Sequence, residues 1–211
     1  RHNRQTAMAL AVVASMAAPP FAAAELQTVY FADFDSGTPA GFSGAGGIES
    51  VGGFAGIGHA GNKFAGNYWR NRSQGTTAAS TVLTLTDLAA HDAISISFLL
   101  AAIDSWDGYD WPWGTDYFCV LVDGVVVFDS AFSYYGIGPE YTPAPGGAIY
   151  YGGNLVGNSV WNDRAYDMSY ESKLSMIPHT SSTLTIEFLA HGTHWQGLDN
   201  ESWALDNLRV M

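Results

Sequence analysis

The strongest constraint on this chain is an apolar period of two that recurs with no competing helical period. AISISFLLA, residues 93–101, sets Ile94, Ile96, Phe98 and Leu100 on one side and Ser95 and Ser97 on the other. TLTIEFLA, residues 183–190, sets Leu184, Ile186, Phe188 and Ala190 against Thr183, Thr185 and Glu187. STVLTLTDL behaves alike through Leu83 and Leu85. Side chains alternate across a strand, so each segment reads as a half-buried antiparallel strand. YFCVLVDGVVVFDS is two strands joined at Asp123-Gly124, because Asp-Gly tolerates the positive φ that a tight hairpin turn demands. Further strands are expected at 29–34, 63–69, 165–168 and 202–210.

Turn chemistry supports the same reading. Twenty-four glycines follow residue 24, together with many Asn, Asp and Ser. Many short strands with such punctuation predict an all-β, antiparallel β-sandwich of jelly-roll type. One domain is expected over residues 25–211, without internal repeats. Residues 36–61 are Gly-rich, yet Phe42, Ile48, Val51, Phe54 and Ile57 are scattered through them, which favours ordered loops and short strands over a linker. Residues 133–163 form a second long loop region, and loops of this length are usually functional or mobile.

Residues 1–24 read as a secretory signal peptide. Arg1 and Arg4 give a basic start, 7–18 is an apolar run without acid, Pro19 and Pro20 break it, and Ala22-Ala23-Ala24 supplies small residues for cleavage. The run is too short to span a bilayer. The protein is therefore expected outside the cell or at its surface. Its formal net charge is −12, and loss of residues 1–24 makes it −14. So acidic a surface repels phosphate backbones, which argues against nucleic acid as a partner. Cys119 is the single cysteine, so no internal disulfide forms, and its place in DYFCVLV predicts a packed strand residue. His191 and His194 stand three apart, a spacing that does not secure a shared face on a strand.

The segment most suited to chemistry is IDSWDGYDWPWGTDYF, residues 103–118. Asp104, Asp107, Asp110 and Asp116 offer hard oxygen ligands, and Trp106, Tyr109, Trp111, Trp113 and Tyr117 offer flat faces. Calcium takes six to eight oxygens from carboxylates, amides and carbonyls. An aromatic ring stacks on the apolar side of a pyranose while nearby Asp or Asn accepts its hydroxyls. Trp106, Tyr109, Trp111 and Trp113 are the candidate ligand-binding residues, with Trp195 of HGTHWQG added. Packing of these rings beneath the loops is the competing reading, since Trp is buried on average. Asp104 and Asp107 lead the candidate metal ligands here, although the D-x-D-x-D-G spacing of an EF-hand is missing.

The two ends of the domain are also acid-rich. VYFADFDSG places Asp33 and Asp35 on one parity, and ESWALDNLRV places Asp206 on the parity of Leu208 and Val210. On that reading the Asp206 carboxylate points inward, and a buried carboxylate must be paired, protonated or bound to metal. Trp203 and Leu205 have the opposite parity, so a bulge near Asp206-Asn207 is the alternative. Capping of strand ends by these acids competes with metal binding.

An FD-containing first strand and a closing strand ending in DN resemble those of jelly-roll modules such as MAM-like domains and galactose-binding-like carbohydrate-binding modules. The resemblance implies a shared calcium ion between first and last strands, with Asp33, Asp35 and Asp206 as ligands and Asn207 and Glu201 in support. The course from Gly-rich start through a WDG loop and DG hairpin to ESWxxDN also resembles secreted bacterial proteins that carry a PEP-type C-terminal sorting tail. The Pro-Glu-Pro motif of that tail does not occur within residues 1–211.

Catalytic signatures are lacking. There is no E-x-D-x-x-E strand of jelly-roll glucanases, no G-x-S-x-G, no H-E-x-x-H and no Walker loop. The reading is thus a secreted, noncatalytic, calcium-stabilised module that binds carbohydrate or extracellular matrix. A purely structural matrix or biofilm protein, and a glycan-active hydrolase or lyase, are its alternatives.

Overall fold

The structure, a computed structural model, describes residues 26–108, 114–134, 140–156 and 161–211. In chain order the strands are β1 (Tyr30–Ala32), β2 (Phe42–Gly44), β3 (Gly47–Ser50), β4 (Gly58–His59), β5 (Asn62–Lys63), β6 (Asn67–Asn71), β7 (Thr81–Leu85) and β8 (Ala93–Ile94). They continue as β9 (Ile96–Asp104), β10 (Asp116–Val122), β11 (Val125–Phe132), β12 (Ala148–Tyr151), β13 (Arg164–Asp167), β14 (Ile177–Pro178), β15 (Leu184–His191) and β16 (Glu201–Val210). The only helical pieces among the described residues are three 3₁₀ turns of three residues each.

Two antiparallel sheets form the sandwich. One runs β12-β13-β9-β16-β6-β3, with β1 also on β16; the other runs β11-β10-β15-β7-β2. The chain crosses repeatedly between them, as a jelly roll requires. The Asp123-Gly124 turn joins β10 to β11 as the sequence predicts, with φ of 49° and 77° at the two residues. Phe98, Leu100, Phe118, Val120, Ile186, Phe188, Trp203 and Leu205 meet between the sheets in the main core. Rings there pack edge to face, for example Phe118 on Trp203 at 5.2 Å between centroids. Each such buried aromatic contributes on the order of 3–5 kcal/mol against truncation to Ala.

A second core lies on the outer side of the first sheet. Leu99, Ala101, Ile103 and Ala204 project there and are covered by Val51, Phe54 and Phe64. This explains two sequence features together. β9 is apolar on both parities because both of its faces are buried, and the Gly-rich segment retains bulky residues because it is the lid of that second core.

β16 carries the anticipated bulge. Its register against β9 shifts between Asp206 and Arg209, and Asn207 takes φ 52°. Trp203, Leu205, Leu208 and Val210 thereby all reach the main core. The inward direction expected for Asp206 from its parity with Leu208 is corrected by this extra residue. Asp206 turns to the opposite face and is buried beneath the segment that follows β5, where Ala65 N donates to its Oδ2 at 3.1 Å.

Candidate metal centre

At one rim of the sandwich three carboxylates converge from separate places in the chain. Asp116 opens β10 and shares the inward parity of Phe118. Glu201 opens β16 with the inward parity of Trp203 and lies opposite Asp104, the last residue of β9. Asp107 stands on the loop between β9 and β10. One ligand oxygen from each of Asp107, Asp116 and Glu201 lies within 4.8 Å of the others. The cluster therefore ties the first sheet, the second sheet and the loop that joins them.

Hydrogen bonds set the geometry. Asp107 N donates to Asp116 Oδ2 at 2.6 Å, and Asp116 N donates to the Asp107 carbonyl at 2.8 Å. These two bonds close the base of the segment that carries Tyr109, Trp111 and Trp113. Asp104 adopts φ 68°, a region sparsely used by residues with a side chain, and its N–H donates to Asp163 Oδ1 at 2.8 Å. Glu201 Oε2 accepts from Gln196 N, whereas its Oε1 is buried with no hydrogen-bond partner among the described residues.

The electrostatics are those of crowded acids. Glu201 is 0% exposed and Asp116 2%. Burial first, and then the Glu201 and Asp107 charges, push the Asp116 carboxyl up to about 8. Burial, followed by Asp107, pushes Glu201 up to about 7. No Lys, Arg or His pairs with Asp116 or Glu201 among the described residues. A buried carboxylate oxygen without a donor and two acids without a counter-charge are what a bound cation remedies. The donor set is all oxygen, which suits calcium.

The sequence candidates divide on this geometry. Asp107 joins the cluster, with Asp104 beside it through its pairing with Glu201. Asp116, the last acid of the same segment, joins as well, and Glu201 comes to it from the other acid-rich part of the sequence. Glu201 was expected to support a site with Asp33, Asp35 and Asp206; instead it points between the sheets, while Asp206 lies on the outer side of the first sheet. The two termini do come together, since β1 pairs with β16 through Ala32 and Leu208. Asp35 and Asp33 also raise the Asp206 pKa, after burial, to about 7. One oxygen of Asp33, one of Asp35 and both of Asp206 accept backbone amides. Asp35 Oδ1 accepts from Asn67 N at 2.7 Å, Asp33 Oδ1 from Asp35 N at 3.2 Å, and Asp206 Oδ1 from Asn207 N at 2.7 Å. The Asn207 Nδ2 donates to Asn62 Oδ1 and to the Lys63 carbonyl.

Two aromatic candidates need correction. Trp106 is 1% exposed, packs edge to face on Trp195 at 4.8 Å, and donates Nε1–H to the Ser202 carbonyl. Trp195 is likewise buried and donates to the Ser73 carbonyl at 2.6 Å. Neither offers a face to a ligand: both roof the core at this rim, where the loop needs apolar anchorage. Tyr109, Trp111 and Trp113 lie outside the described residues. Sequence reasoning missed Trp161, which is 39% exposed and packs on Tyr134 at 4.8 Å. Tyr134 N donates to the Trp106 carbonyl, which places that pair at the same rim.

No protein-family model matches the chain, and no curated protein matches it. Solved structures of similar form exist. One is a family GH115 4-O-methyl-α-glucuronidase, BtGH115A (10% identity, TM-score 0.38), where the match covers 89% of this chain and 18% of that one. A family 35 carbohydrate binding module from an environmental isolate has 15% identity and a TM-score of 0.38, with 87% and 93% covered. TmCBM61, solved with β-1,4-galactotriose, has 10% identity and a TM-score of 0.42, with 85% and 93% covered. The chain thus spans under a fifth of the glucuronidase but nearly the whole of the two binding modules. No residue role is carried over from them.

Proposed function

We propose that this chain is a noncatalytic, calcium-stabilised module that binds polysaccharide or extracellular matrix outside the cell. The observation that carries the reading is the Asp107–Asp116–Glu201 cluster at the base of the aromatic segment. Asp107 and Asp116 bracket Tyr109, Trp111 and Trp113. A calcium ion between them fixes the base of that segment to both sheets, and a fixed base lowers the entropy lost when the rings meet a sugar. Trp161 supplies a partly exposed ring at the same rim, packed on Tyr134. The noncatalytic part rests on burial. Asp116 and Glu201 are close enough for a retaining glycosidase pair, about 5 Å apart, but are closed off from a pyranose by the packed rim.

A second reading has an observation of its own. Burial of Trp106 and Trp195 favours a structural extracellular protein with no small ligand.

A glycan array run with calcium and with EDTA separates the two. The binding module retains at least one glycan with calcium, loses it with EDTA, and binds at least tenfold more weakly as Trp161→Ala. Silence on every glycan under both conditions rejects carbohydrate binding. Calcium is tested by itself through stability: a ligand at a hundred times its Kd adds about 2.7 kcal/mol to the native state. Asp116→Asn must abolish that gain; a melting temperature indifferent to calcium rejects the ion.

A further inference from the structure

On the outer face of the second sheet, close to the acidic rim but sharing no side chain with it, three metal-ligating side chains of different chemistry meet. Cys119 of β10 lies directly opposite Asp129 of β11. His191 of β15 lies opposite Tyr117, so it is the diagonal neighbour of Cys119 on the same face. One ligand atom from each of Cys119, Asp129 and His191 lies within 4.8 Å of the others. His191 Nε2 already stands 3.0 Å from Asp129 Oδ1. The imidazole is held in place by the Tyr117 ring, parallel within 7° at 4.9 Å.

We infer that Cys119, Asp129 and His191 form a site for a zinc-class divalent ion with an open fourth position. Thiolate, imidazole and carboxylate are all zinc ligands, and thiolate disfavours calcium and magnesium. Zinc–ligand bonds of 2.0–2.3 Å in a tetrahedron set donors about 3.5 Å apart. Movements of about 1 Å bring the three side chains to that spacing, and they fall mainly on the exposed Asp129 and the half-buried His191, since Cys119 is buried. The fourth ligand is a water, which reaches the group from the side of Asp129 and His191, since Asp129 is exposed and His191 half-buried. Burial, and then Asp129 and Glu187, push the Cys119 thiol up to about 12. Cys119 therefore stays a thiol until an ion displaces its proton.

The two sites share no ligand, and the experiment keeps them apart. The full chain is titrated with Co²⁺ and with Zn²⁺ in millimolar calcium, so that oxygen-only sites are filled. Co²⁺ bound to thiolate gives a near-ultraviolet charge-transfer band. The wild type shows that band at one ion per chain, and Zn²⁺ abolishes it by competition. Cys119→Ser removes the band; His191→Gln and Asp129→Asn, at positions more exposed than Cys119, weaken zinc at least tenfold. No band in the wild type, or zinc affinity unchanged in both His191→Gln and Asp129→Asn, overturns the site. Because Asp129 is exposed, its variant tests the site even where Cys119→Ser folds poorly.

Discussion

Asp206 shows how one buried acid records its surroundings. It is 1% exposed and takes two amide hydrogen bonds, yet burial and the Asp35 and Asp33 charges raise its pKa from 3.8 to about 7. The folded state thus holds the proton more tightly than the unfolded chain does. Its contribution is fully present below pH 4 and is lost as pH rises through about 7. Asp206→Asn cannot lose a proton, so its stability lacks this component. At pH 4 the variant is less stable by about 1 kcal/mol, because one amide loses its acceptor. Between pH 4 and 8 the gap moves in the variant's favour by roughly 2–4 kcal/mol. Urea midpoints of both proteins across that range measure it, and parallel curves would mean that Asp206 titrates normally. The sequence marked Asp206 as buried, but for a different side of the sheet. A residue's parity carries along a strand only while the register holds, and a single bulge reverses it.

Strands were the most legible level, because burial on one face writes itself into alternation. The hairpin at Asp123-Gly124 and the runs that became β7, β9, β15 and β16 were all evident from period two and turn residues. What alternation does not record is which strand lies beside which. Asp107 and Asp116 were visible within one loop. Glu201 joins them only because β16 inserts next to β9, a pairing across about a hundred residues that leaves no local trace. The separation of Cys119 from His191 is of the same kind. Gly192 is the element-level test of this rim. It follows β15, and an added Cβ would meet the Thr115 carbonyl at 2.5 Å and Asp116 Oδ1 at 2.9 Å. Backbone cannot yield as a flexible side chain does, so Gly192→Ala must prise β15 from the start of β10. We expect a loss of about 1–3 kcal/mol and a weaker response to calcium. Gly124→Ala is the comparison: its φ of 77° is strained for alanine, but nothing lies within 4 Å of the new atom. It should cost about 1 kcal/mol and leave the calcium response intact. Equal calcium responses in the two variants would show that the Gly192 contact does not hold the cluster.

At the scale of the molecule the governing quantity is charge. Eight Lys and Arg stand against twenty Asp and Glu, and no disulfide restrains the chain, since its single cysteine is free. Self-repulsion therefore lowers the stability of the compact state, and any cation relieves some of it. General relief and site binding differ in how they saturate. Monovalent salt screens exposed charges over a Debye length of about 8 Å at physiological strength. It should raise the melting temperature by about 2–5 °C, equally in the wild type and in Asp116→Asn, because the buried rim lies beyond easy screening. Calcium added on top of that salt should raise the wild type by about 5–10 °C further, saturating at one ion, and leave Asp116→Asn where salt alone put it. Differential scanning calorimetry over the two titrations reads both effects in one series. If Asp116→Asn responds to calcium as fully as the wild type does, the ion acts through the diffuse acidic surface, and the Asp107–Asp116–Glu201 cluster is held together by shared protons instead.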